Sequence, residues 1–119
     1  MDGRIEALRE WGCSVDRALK RMLGDEAMYL EFLMEFTNEP AFDMLSVAIK
    51  EGKQKEAFEN AHMLKGVIAN LGLDPLYGEM YDITEALRGE GADMEAVREK
   101  YEEVAAAYAN YVRIMGESA

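Results

Sequence analysis

The chain has 119 residues, half of them hydrophobic and 31% charged, which suits one domain with a substantial core. Its 24 acidic residues outnumber 13 basic ones, for a net charge of −11. That balance is poorly made for neutralising nucleic-acid phosphates or for lying on an acidic membrane surface, and plain solubility accounts for it. The two prolines, the sparse β-branched residues and the abundance of Ala, Glu, Met and Leu favour an all-α fold. No apolar run approaches the roughly 20 residues of a membrane span. The opening MDGRIEALREWG mixes acids with bases and lacks the apolar segment of a secretory leader. A cytoplasmic protein is expected. Cys13 is the only cysteine, so it forms no intrachain disulfide and no Cys-based metal site. A half-buried structural thiol is expected there.

In chain order, Ile5, Leu8 and Trp11 suggest a short first helix stopped by Gly12. Ser14 can cap a second, with Val15, Leu19, Met22 and Leu23 at helical spacing and Gly24 at its end. Asp25 reads as the N-cap of a third helix, Glu26 to Thr37, with Tyr29, Phe32, Leu33 and Phe36 on one face. Asn38 and Pro40 open a fourth that turns Phe42, Leu45 and Ile49 inward and closes at Gly52. The fifth and central helix runs from Lys53 to Leu71, where Gly72 stops it. Asp74 and Pro75 restart the chain as N-cap and first helical residue. The sixth helix then carries Leu76, Met80, Ile83 and Leu87 inward until Gly89 and Gly91 break it. Asp93 caps the seventh, whose inward set is Val97, Tyr101, Val104, Tyr108, Val112 and Met115.

Short links make sequential helices antiparallel neighbours. The pattern therefore predicts a single domain over 1–119. The last four helices, about 38–116, form an antiparallel up-and-down four-helix bundle. The shorter ones, about 1–37, pack on its end or side. The Met, Tyr and Phe stripes read as core and ask for no cofactor.

The central helix holds the only histidine. Ala57, Ala61, Leu64, Ile68 and Leu71 recur at spacings of four, three, four and three and must face the core. At 100° per residue His62 lies about 140° from the centre of that stripe, towards solvent. One turn on stands Gly66, then Ala69, so the surface beyond the imidazole is nearly bare. Glycine inside a helix costs about 1 kcal/mol relative to Ala. The cost makes sense if something bulky must approach His62. Lys65, three residues on, can bring an ammonium near an anion held on the imidazole.

Other readings of His62 are open on these residues alone. As a metal ligand it has Glu59 at i−3 but no visible third or fourth partner. As a general base it has a suitable ring but sits on an exposed ridge rather than in a pocket. It can also be a surface histidine with no role.

The stretch HMLKGVIANLG resembles the signature of histidine-containing phosphotransfer (HPt) domains: His62, Leu64, Lys65, Gly66, Leu71 and Gly72 match it, and Ala61 is the usual small residue before the His. KEGKQKEAFENA ahead of it and EALRGEG after it resemble the flanking helices of that family. The similarity spans most of the chain and is least distinctive in the N-terminal third. It implies an antiparallel four-helix bundle with the active His exposed midway along one helix. It also implies that His62 takes a phosphoryl group from a receiver-domain aspartyl phosphate and passes it to another receiver. Lys65 becomes the charge partner and Gly66 the clearance for the receiver. Met63 and the pair Val67-Ile68 depart from the smaller or polar residues often found there. Phe58, Glu59, Met63 and Ala69 are the docking residues this picture suggests. Attachment is expected at Nε2, the nitrogen furthest from the helix.

The expected partners are response-regulator receivers, and a hybrid sensor histidine kinase upstream is a further candidate. The receiver would supply the aspartate and the Mg²⁺. The chain shows no Gly-rich nucleotide loop and no metal site, so no bound cofactor and no autophosphorylation from ATP are expected. A free-standing protein fits the length and the initiating Met, with a fragment of a hybrid kinase as the alternative. A monomer without nucleic-acid or membrane partners is expected, because transfer needs the His face open and no second long apolar stripe is evident. Two competing functions are an HPt-like docking module that accepts no phosphate and a helical metal-binding protein.

Overall fold

The computed structural model describes residues 2–117. Among them are seven helices and no strand: α1 (Gly3–Trp11), α2 (Val15–Arg21), α3 (Glu26–Phe36), α4 (Ala41–Lys50), α5 (Gln54–Leu71), α6 (Asp74–Leu87) and α7 (Met94–Glu117). α5 packs on α4 and α6, α7 packs on α6, and α7 also touches α4. α1 lies on α7 and α2, while α2 and α3 lie against α5. No described helix is long and apolar enough to cross a membrane.

Local chemistry sets most boundaries. Asp25 accepts from the Met28 N–H at 3.0 Å, and Asp93 from those of Glu95 and Ala96 at 3.1 and 3.3 Å, so both act as the N-caps the sequence suggests. Gly12 and Gly72 end α1 and α5 in the left-handed region. The stripe Ala57, Ala61, Leu64, Ile68 and Leu71 is buried throughout, as is Leu76, Met80, Ile83 and Leu87 of α6.

Four details differ from expectation. Asp74 is not a cap but the first residue of α6, and Pro75 follows as the second. Nor does Ser14 cap α2 with its side chain. Its hydroxyl instead donates to the Asp74 carboxylate, so two junctions satisfy each other. Leu23 lies beyond α2, at φ 55° and almost fully exposed. Phe32 and Val112 are more exposed than their assigned faces imply. The inward set of α7 keeps the rhythm of four and three by using Tyr111 between Tyr108 and Met115, which leaves Val112 outside.

Tyrosine hydroxyls join the layers. Tyr108 donates to the Phe36 carbonyl and Tyr111 to that of Leu33, both at 2.5 Å. Tyr101 donates to the Phe42 carbonyl at 3.0 Å. The first two serve the last turn of α3, where helix carbonyls lack intrahelical partners.

Candidate functional site

α5 carries the site and is held at both ends. Lys53 offers its first turn no side-chain cap. Gln54 ties that end down instead: its amide donates to the carbonyls of Leu87 and Gly89 at 2.9 and 3.1 Å and accepts from the Ala92 N–H at 3.0 Å. At the other end the Leu73 N–H reaches back to the Ile68 carbonyl at 3.2 Å, in the manner of a Schellman turn. Arg21 donates to the carbonyls of Asn70 and Ala69 at 2.8 and 3.2 Å. Tyr29 donates to that of Leu71 at 2.8 Å. A cation at a helix C-terminus also complements the dipole.

Gly72 is required at that junction for two reasons. Its φ is +73°, and a Cβ there would lie 2.6 Å from the Ser14 carbonyl oxygen. The Ser14 N–H closes the contact by bonding to the Gly72 carbonyl at 2.8 Å. The N-terminal helices thus clamp the end of the site helix. Cys13 is buried in this clamp, and burial pushes its thiol up to about 12, with Asp74 adding to the effect. That is an inert structural thiol.

His62 projects from the middle of α5 and is exposed. Its ring meets Phe58 edge to face, with centroids 5.7 Å apart and planes at 88°. Neither ring nitrogen has a hydrogen-bond partner among the described residues. Gly66 is exposed, and a Cβ added there meets nothing within 4 Å. The bare surface inferred from the helical wheel is therefore present. Lys65 is half-buried, with its ammonium 5.4 Å from the centroid of the Tyr81 ring on α6.

The proposed docking residues divide. Glu59, Met63 and Ala69 are exposed on the same helix, whereas Phe58 is half-buried against the core. Val67 also packs partly on the core. It lines a cavity of about 480 Å³ with Phe32, Phe36 and Leu71. Neither that cavity nor one of about 530 Å³ beside Phe58 and Leu87 is lined by His62. The imidazole stands on a ridge, which disfavours a general base acting on an enclosed substrate. Among the described residues no group of three or more His, Cys, Asp or Glu side chains could hold a metal.

Some residues near the site were not singled out from the sequence. The Arg88 guanidinium lies 5.1 Å from the Phe58 ring centroid and pairs with Glu85 at 2.6 Å. The hydrogen bond from Arg88 holds the Glu85 carboxyl below its ordinary range, with smaller contributions from Lys65 and Tyr81. Gly78, one turn before Tyr81, is a second helical glycine with open space around it. The available signals were a glycine inside a helical pattern and tyrosines off the apolar stripe of α6.

The site is thus an exposed imidazole on a helix anchored at both ends, with a bare turn ahead of it and a lysine on its flank. No family model, curated protein or solved structure matches this chain, so the function must be read from these side chains themselves.

Proposed function

We propose that the chain is a histidine phosphotransfer protein of the HPt kind, a cytoplasmic phosphorelay intermediate working with response-regulator receivers. In this reading α4 to α7 form the family's antiparallel four-helix bundle, with α1 to α3 packed beside it. The observation that carries the proposal is the unpartnered, exposed imidazole of His62 beside the open turn at Gly66.

The chemistry balances with the residues present. A neutral imidazole is nucleophilic at cellular pH. Nε2 attacks the phosphorus of a receiver's aspartyl phosphate, the N–P bond forms and the acyl P–O bond breaks. The electron pair leaves with the aspartate carboxylate, and the Nδ1 proton passes to solvent. Transfer to a second receiver reverses these events. The transition state is loose, so alignment and charge stabilisation do most of the catalysis. Gly66 lets the receiver come close, and Lys65 supplies charge. Mg²⁺ belongs to the receiver.

The test uses a panel of receiver domains carrying labelled aspartyl phosphate and Mg²⁺, mixed with wild type and with His62→Gln. Label should move to the wild type alone, in a bond stable to alkali and labile to acid. Binding without transfer would instead support a docking module. Equal labelling of His62→Gln would remove His62 from the chemistry.

A further inference from the structure

Lys65 does not hang free beside His62. Its ammonium lies on the Tyr81 ring across the seam between α5 and α6. Tyr81 is 44% exposed and off the buried stripe of α6, so core packing does not account for an aromatic there. One turn on, Glu85 takes a hydrogen bond from Arg88 at 2.6 Å and interacts more weakly with Lys65 and Tyr81. Arg88 lies over Phe58, and Phe58 meets His62. A chain of side-chain contacts therefore runs along this seam from the imidazole to the ammonium.

A lysine stem left in water samples many rotamers and loses that freedom when it closes on an anion. An aromatic face attracts the cation without supplying a competing hydrogen-bond acceptor, so the ammonium donors stay available to phosphoryl oxygens. Arg88 occupies the Glu85 carboxylate, and among the described residues Lys65 makes no ion pair of its own. The lysine is thus held loosely on the ring rather than captured by an acid.

We propose that Tyr81 is a positioning residue for phosphoryl transfer, holding the Lys65 ammonium on the α6 flank of His62 where negative charge gathers on the transferred group. This inference rests on His62 being the phosphoryl carrier.

Single-turnover transfer from a receiver phosphorylated with acetyl phosphate, over a range of receiver concentrations, tests it in wild type, Tyr81→Leu, Tyr81→Phe, Lys65→Ala and Lys65→Ala/Tyr81→Leu. Tyr81→Leu should slow the saturating rate about two- to five-fold, the reach of an exposed cation–π contact. The half-saturating receiver concentration should hardly change. Tyr81→Phe should keep the wild-type rate, and Tyr81→Leu should have no further effect once Lys65 is Ala. Without any receiver, the Lys65 Hε protons should show an upfield ring-current shift in NMR that Tyr81→Leu abolishes. Equal slowing with and without Lys65, or a change in half-saturation alone, would make Tyr81 a receiver contact and overturn the inference. Normal transfer with no Hε shift overturns this inference alone. An intact shift with no transfer to wild type overturns the carrier reading and this inference with it.

Discussion

Gly66 and Gly72 stand on the same helix and at its end, and they do opposite things. Gly66 has ordinary helical backbone and empty space where a Cβ would go. Gly72 has a left-handed φ and Ser14 backbone 2.6 Å from where a Cβ would be. Gly66→Ala should therefore raise stability to urea by about 0.5–1 kcal/mol while slowing transfer from a receiver. Gly72→Ala should lower stability by about 1–3 kcal/mol. A Gly66→Ala protein that transfers at the wild-type rate would remove clearance as the reason for that glycine. The exposure of His62 and the bare turn were legible in the sequence because both depend only on position along one helix. Tyr81, Glu85 and Arg88 were not. Their relation to His62 depends on how α6 lies against α5, which no periodicity within either helix encodes.

At the scale of elements, all seven helices could be read from caps and spacing, since both signals are local. Two departures lie where segments exchange partners. Ser14 and Asp74 each have the chemistry of an N-cap, yet they satisfy one another across the α1–α2 and α5–α6 junctions. The role of Gln54 is hidden from helix periodicity for the same reason: its side chain serves the loop between α6 and α7 rather than its own helix. Replacing it strands the Leu87 carbonyl and the Ala92 amide, both partly buried, and the exposed Gly89 carbonyl. Gln54→Ala should cost about 1–3 kcal/mol, given roughly 0.5–1.5 per hydrogen bond. It should also speed amide hydrogen exchange at Ala92 well before global unfolding. Unchanged exchange at Ala92 would show that the loop is held by other contacts.

For the whole molecule, charge sets the conditions of greatest stability. A net charge of −11 is self-repelling. Burial first, and then a hydrogen bond with Glu103, raises the Glu79 carboxyl above its ordinary value. Its protonated form suits the fold, so its contribution is complete below the unfolded value and is lost as pH rises through the folded one. Burial likewise raises Cys13 and the hydroxyls of Tyr29 and Tyr111, so their contributions are lost in strong alkali. Asp2 and Glu85 shift the other way, through a half-buried pair with Arg4 and an exposed pair with Arg88 that solvent screens. The urea midpoint should be higher at about pH 5.5 than at about pH 7.5. The gap should narrow in added salt and in Glu79→Gln. A midpoint that falls on acidification would assign the balance to the Asp2 and Glu85 pairs instead.

The two anchored ends of α5 have a mechanical consequence. His62 sits near midspan, about 12 Å along the axis from Gln54 and about 13.5 Å from Leu71 at roughly 1.5 Å per residue. The supports are the Gln54 amide at one end and Arg21, Tyr29 and Ser14 at the other. A helix tied at both ends bends less than one left free at an end, so a protein pressing on its middle meets a firmer surface. Under the proposed function, the adjustment needed to bring phosphorus in line with the imidazole would fall to the loops of the incoming domain, with the histidine as the fixed point to which they align.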